Sequence, residues 1–258
     1  MPAEFGRREL LTGAAAAAAG AALAGLTPAQ AVATGEGVTK FAFPAGGDRL
    51  RVLVTGDAGT GTRTQWAVAE AARALHRADP FGLALGLGDN IYESGPTGTT
   101  DPQFAEKFEN PNAGLDIPWV MVLGNHDNSS VLPGDGGWLL RGDDEVRYHG
   151  ASPRWWMPSR YYSVRLPDPD PIVEFFVLDL NPLAAYIPSV FSPYWSVDGQ
   201  FMNEQRAWLD AAHPALFQTY HQLGFLTLDL TPGTVEAAVH TVDPGTAVPV
   251  EEFRRRIG

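Results

Sequence analysis

The chain has 258 residues, with 30 acidic against 18 basic side chains and a formal net charge of −12. That length suits one large domain with a buried core, and the acidic excess argues against nucleic acid or an anionic membrane as partner, because both call for a basic face. Cysteine is absent, which excludes disulfides, thiolate metal sites and cysteine nucleophiles and leaves oxygen and imidazole to hold any metal.

The first segment reads as an export signal. Arg7 and Arg8 precede Glu9-Leu10-Leu11, a weakly apolar Ala- and Gly-rich run from Thr12 to Leu26 follows, and Ala29-Gln30-Ala31 and Ala31-Val32-Ala33 are both small-x-small cleavage patterns. The arginine pair gives residues 1–33 the look of a twin-arginine signal peptide. The run is too short and too mildly apolar for a stable membrane span. Its expected partner is the twin-arginine export machinery, and the expected location is extracellular or in the cell envelope. Residues 34–47 are small and Gly-rich and read as a linker, extended or mobile, which leaves 48–258 as a single domain.

The domain opens with a repeating unit. Leu50 to Thr55 is an apolar strand that ends at Gly56-Asp57. Thr64 is a candidate cap for a helix in which Val68, Ala71, Ala72 and Leu75 recur at helical spacing, with Pro80 beyond its end. Leu83 to Leu87 is a second buried strand, ending at Gly88-Asp89. A short helix is expected around Phe104 to Phe108. Trp119 to Leu123 is a third strand, ending at Gly124-Asn125-His126. Strands alternating with helices predict a parallel sheet in an α/β fold. Chemistry in such sheets lies beyond the carboxyl ends of the strands. Three parallel strands therefore bring Asp57, Asp89 and Asn125-His126 to one end.

The second half is less regular. Residues 131–160, rich in Gly, Pro, Trp and Arg, read as a long surface excursion. Tyr161–Leu166 and Ile172–Leu180 read as two strands joined by a Pro-Asp turn. Gln200–Ala212 reads as a helix, and Leu223–Leu230 with Val235–Val242 as a hairpin around Thr231-Pro232-Gly233. Trp155 and Trp156 fit packing under the excursion better than lining a cleft.

Gly56-Asp57-Ala58-Gly59, Gly88-Asp89-Asn90-Ile91-Tyr92 and Gly124-Asn125-His126-Asp127 resemble, in order and spacing, the opening motifs of the calcineurin-like metallophosphoesterases. Tyr92, three residues after Asp89, narrows the resemblance to the purple acid phosphatases of the small, tartrate-resistant kind. Further similar stretches are Phe104 to Glu109, Arg154-Trp155 with Pro158, Tyr161-Tyr162 and Val177-Leu178-Asp179. The resemblance implies a metallophosphoesterase-type α/β sandwich of two mixed sheets flanked by helices. It implies a dinuclear centre of iron with iron, zinc or manganese, and hydrolysis of a small phosphoester by hydroxide carried on the metals. In that scheme Asp57 binds the iron, Asp89 bridges both ions, Tyr92 binds the iron through its phenolate and Asn125 binds the second ion by its amide oxygen. His126 then contacts phosphate or assists the leaving group, with Asp127 orienting it.

The chain also departs from that pattern. The family continues with one histidine after a further strand and a Gly-His-x-His pair after another, yet no Gly-His step occurs anywhere in this sequence. The helix ending at Ala212 resembles the one that normally precedes the first missing histidine. His213 onward resembles segments that normally follow the last. The expectation is an internal deletion near 212–213 that removes ligands and strands together and truncates the second half. The other histidines are His76, His149, His213, His221 and His240, and loop, hairpin or surface positions suit them better than ligation. Three readings stay open: an exported acid phosphatase-like phosphomonoesterase, an impaired remnant that holds at most one ion or phosphate, and a related phosphodiesterase.

Overall fold

A computed structural model of the chain describes residues 38–137, 139–185, 193–212, 224–242, 245–246 and 248–257. The signal segment 1–33, the first linker residues, His213, His221 and the join after Ala212 lie outside the described residues.

Leu50–Thr55 forms β1, and Leu50, Val52, Leu53 and Val54 are all buried. Burial on both faces is what a central strand needs, and it explains why the sequence here is a continuous apolar run. β1 pairs in parallel with β2 (Leu83–Gly86), β2 with β3 (Trp119–Met121), and β3 with β4 (Trp155–Trp156). The crossovers carry α1 (Arg63–Ala78), a short π-helix at Ala105–Glu109, and α2 (Leu139–Tyr148). On its other side β1 pairs antiparallel with β7 (Gly224–Thr231), followed by β8 (Thr234–Val242) and β9 (Pro249–Ile257). The result is a mixed sheet of seven strands in the order β4-β3-β2-β1-β7-β8-β9.

Among the described residues the second sheet is small, in keeping with the expected truncation of the second half. It is an antiparallel pair, β5 (Tyr162–Leu166) and β6 (Val173–Val177). α3 (Asn181–Ala184) and α4 (Gln200–Ala212) follow it. α4 meets this pair through its rings: Trp208 lies 5.2 Å from Tyr161 and 6.0 Å from Phe176. The fully buried Tyr162 joins the two sheets. Its hydroxyl accepts from the Met121 amide at 3.1 Å and faces the carbonyls of Met121 and Trp156 at 2.8 and 2.7 Å.

Several sequence expectations are corrected. Residues 131–160 are not a surface excursion, because they contain α2 and β4. Trp155 is fully buried, with Phe104, Phe108 and Tyr148 edge-on to it at 4.7–5.5 Å. Burial of a ring this large contributes on the order of 2–3 kcal/mol. α1 begins after Thr62, two residues before the expected cap, and Thr62 makes no side-chain capping bond. The helix is held instead by the burial of Ala67, Ala69, Ala71 and Ala72. The third strand ends at Met121, two residues early, and β9 went unread. Residues 38–47 of the linker are extended but docked. Lys40 Nζ meets the carbonyls of His149, Ser152 and Trp155, and Phe41 N donates to Pro153 O at 2.8 Å. Among the described residues no helix is long and apolar enough to cross a membrane.

Candidate functional site

The loops leaving β1, β2 and β3 interlock. Asp57 N donates to Gly88 O at 3.0 Å, Gly59 N to Asp89 O at 3.1 Å, and Tyr92 N to Gly59 O at 2.9 Å. Asp57 and Asp89 themselves hold left-handed backbone, with φ of 53° and 52°. That conformation is uncommon outside glycine, though Asp tolerates it, and it tends to cluster at functional sites. Gly124 is obligatory for close approach: a Cβ there would overlap the Asp89 amide and its Oδ1. The three strand ends are thereby fixed against one another within a single hydrogen-bond network.

The side chains converge as the strand ends do. The Tyr92 hydroxyl lies 2.8 Å from Asp57 Oδ1 and 2.8 Å from Asp89 Oδ2. The phenol's single proton is shared between the two carboxylates, each of which accepts from it. Burial first, and then these two carboxylates, raise its pKa. Burial also raises Asp89, although its Oδ1 accepts the His126 amide at 2.9 Å. Asn125 Nδ2 donates to Gly134 O at 2.8 Å, which spends the amide nitrogen and leaves the amide oxygen as the group available to a cation. Gly134, at φ 74°, keeps the space beside it open, since a Cβ there would sit 2.7 Å from His126 Nε2. The His126 ring packs 4.2 Å from Tyr92, with Nδ1 2.7 Å from Glu93 O. The carbonyl fixes the proton on Nδ1 and makes Nε2 the free nitrogen of the neutral ring.

His126 is therefore oriented by Glu93 rather than by Asp127. Asp127 is fully buried and binds the Asp89 loop instead. Its Oδ1 accepts from Asn90 N at 2.8 Å and Ile91 N at 2.9 Å, and its Oδ2 from Gly124 N at 2.8 Å and Asn90 Nδ2 at 3.1 Å. Burial, the largest cause, pushes the Asp127 carboxyl up to about 6 despite these donors. Behind it lies Glu145 of α2, fully buried, with Oε2 accepting from Asn90 Nδ2 at 3.0 Å and Oε1 without a partner. Glu145, Glu93 and Gly134 were not singled out in the sequence, because each reaches the site by tertiary contact and carries no local motif.

Asp57, Asp89 and Tyr92 meet as a hard oxygen cluster whose donor chemistry suits a cation. They do not by themselves fit two. Among the described residues no group of three or more His, Asp or Glu side chains is arranged to hold a metal. The described histidines other than His126 are engaged elsewhere. His76 Nδ1 accepts from Phe81 N at the end of α1, His149 Nδ1 lies beside Met157 N, and His240 stacks on Phe225 at 4.8 Å.

Comparison with known proteins gives one family and a consistent set of relatives. Residues 50–229 match the calcineurin-like phosphoesterase family. Mouse tartrate-resistant acid phosphatase type 5 is 33% identical over 100 residues, covering 37% of this chain and 28% of that protein. The human enzyme of the same name is 27% identical over 143 residues, 53% of this chain and 41% of that one. Arabidopsis thaliana purple acid phosphatase 4 is 31% identical over 138 residues, 52% and 36% of the two chains. The matched stretch thus spans well under half the length of these relatives. Among solved structures, GAP50, described as the anchor in the inner membrane complex of Plasmodium, superposes with a TM-score of 0.55 at 12% identity, over 82% of this chain and 89% of that one. That likeness speaks to the fold alone.

Proposed function

We propose, from the premise that this chain belongs to the calcineurin-like phosphoesterase family, that it is a metal-dependent hydrolase of small phosphomonoesters, similar in chemistry to the purple acid phosphatases. The observation that carries the reading is the Tyr92 hydroxyl held 2.8 Å from the carboxylates of both Asp57 and Asp89. Side chains from two strand ends meet there around one small volume lined by oxygen. Asp57, Asp89, Tyr92 and Asn125 would hold the metal, which when bound supplies Lewis acidity toward the phosphoryl oxygens and a water acidified for attack. The chain's own residues do the rest. Gly134 leaves access beside His126. His126, with Nδ1 committed to Glu93, presents Nε2 to hydrogen-bond the phosphoryl group or pass a proton to the departing alcohol. Asp127 keeps the Asp89 loop in register with the β3 end.

Hydrolysis of a chromogenic aryl phosphate by metal-loaded protein, lost in Asp89→Ala, is the expected result. Turnover no greater than metal alone would end the reading. One specific observation favours a second one, a remnant that holds a single ion: the described histidines other than His126 lie away from the oxygen cluster. Metal analysis separates the two. Two ions per chain support the hydrolase with a complete centre, and one ion with no turnover supports the remnant. Export through the twin-arginine route belongs to the same proposal. It rests on the Arg7-Arg8 signal, and its check is loss of the extracellular protein in Arg7→Lys/Arg8→Lys.

A further inference from the structure

The large sheet ends on a strand that is paired on one side only. Among the described residues β9 hydrogen-bonds to β8 and to no strand beyond it, and it stands last in the strand order. The outer row of N–H and C=O groups on such a strand is a ready template for another strand. At the opposite end of the sheet β4 has two residues and no comparable row. β9 has nine, which span about 30 Å.

The charges of β9 are sorted along its length. Glu251 and Glu252 come first, and Arg254, Arg255 and Arg256, the only run of three basic residues in the chain, come after them. A bulge divides the two halves, where the register with β8 passes from Val239↔Phe253 to His240↔Glu251. Arg254 bonds Glu251 at 2.6 Å and also meets Glu236 of β8. Arg255 and Arg256 are exposed and, among the described residues, have no side-chain hydrogen bond or ion pair. Charge of one sign along an edge keeps other strands away. Two opposite blocks admit one partner: a like strand running antiparallel sets each acidic half beside a basic half, whereas parallel alignment sets like beside like. Successive arginines point to alternate faces of the sheet, so the partner's glutamates meet a cation on either face.

Two chains of net charge −12 repel one another over most of their surfaces. β9, with two acidic and three basic residues, is a stretch through which they attract. We propose that β9 pairs antiparallel with β9 of a second copy of this chain, so that the two large sheets join about a two-fold axis into one. Strand addition of this kind draws its affinity from main-chain hydrogen bonds and its selectivity from side chains. The interface uses none of the groups at the ends of β1, β2 and β3 and stands whether or not the chain hydrolyses phosphoesters.

The test is sedimentation equilibrium of the full chain from micromolar to submillimolar concentration, where the mass is expected to rise to that of two chains. Sodium chloride at about 1 M, which shortens the screening length to about 3 Å, is expected to weaken association about tenfold. Arg255→Glu/Arg256→Glu makes the charges of β9 almost wholly acidic, and Glu251→Arg/Glu252→Arg makes them wholly basic. Each variant alone should associate at least about tenfold more weakly than the parent, while an equimolar mixture of the two forms a heterodimer. The substituted side chains are at an exposed edge, so each variant should keep the parent's Tm within a few degrees. Should a reversal not fold, Arg255→Ser/Arg256→Ser is expected to weaken association by about as much as salt does. The proposal is overturned if the parent stays monomeric throughout, if Arg255→Glu/Arg256→Glu or its serine counterpart associates as strongly as the parent, or if the two folded reversal variants do not associate when mixed.

Discussion

A carboxyl group sealed from water is favourable in its neutral form wherever burial outweighs the pull of nearby cations. Glu145 is in that position: it is fully buried, and burial and then the charge of Asp127 raise its pKa well above the usual carboxylate range. Its neutral form can donate toward Asp127, which already collects four hydrogen bonds from the Asp89 loop and Gly124. The sign of the linkage follows. A carboxyl whose folded pKa is raised contributes stability that is fully present below its unfolded value near 4.5 and is lost as pH rises toward the folded value. Glu145→Gln keeps the shape and a donor and removes the ionisation. The variant is expected to match the parent near pH 4 and to exceed it increasingly from pH 5 to pH 8, by at most about 1.4 kcal/mol per pH unit. Urea midpoints at three pH values measure this. A difference between the two proteins that does not change with pH would show that Glu145 is ionised in the fold.

Between elements, the buried Arg160 is the principal tie. It precedes β5, and its guanidinium meets Asp143 of α2 at 2.8 Å, Asp179 beyond β6 at 2.8 Å and Asn128 after β3 at 3.0 Å. The small second sheet is thus bound to the helix and loop that border the site. Arg160→Met leaves two buried carboxylates without their cation and is expected to destabilise the protein by about 3–5 kcal/mol. Adding Asp179→Asn should restore part of that. A loss of under about 1 kcal/mol in chemical unfolding would mean that the contact is incidental. This tie also marks where the sequence stops being readable. β1, β2 and β3 were legible because a central parallel strand is a continuous apolar run and because each ends on a Gly-acid or Gly-Asn step, all local features. β4 was not, since two residues have no period. α2 was masked by Gly142 and the charged Arg141, Asp143, Asp144 and Glu145 within it. β9, with three consecutive arginines at 254–256, lacks the apolar alternation of a half-buried strand. Asp127 is legible in its motif, but its contacts are not. Apart from Gly124 N, its partners are amides of another loop, 36 and 37 residues away in sequence.

For the molecule as a whole, the net charge of −12 means that any cation stabilises the fold somewhat by relieving repulsion, so stabilisation by metal is informative only when it is specific. The oxygen cluster of Asp57, Asp89 and Tyr92 exists only when the strand ends are assembled, because the loops that carry it are held by one another. An ion that prefers this set therefore binds the folded chain and not the unfolded one. At a free concentration about a hundredfold above its dissociation constant such an ion adds about 2.7 kcal/mol, which for a chain of this size raises Tm by about 5–10 °C. Manganese, zinc or iron should produce that rise at micromolar levels, a chelator should reverse it, and sodium chloride at matched ionic strength should not reproduce it. Asp89→Asn retains the size of the side chain and an acceptor for the His126 amide while removing the carboxylate, so it should abolish most of the rise while leaving the metal-free Tm within a few degrees. If Asp89→Asn gains as much from the metal as the parent does, the ion is held by the acidic surface and the three strand ends do not form a cation site.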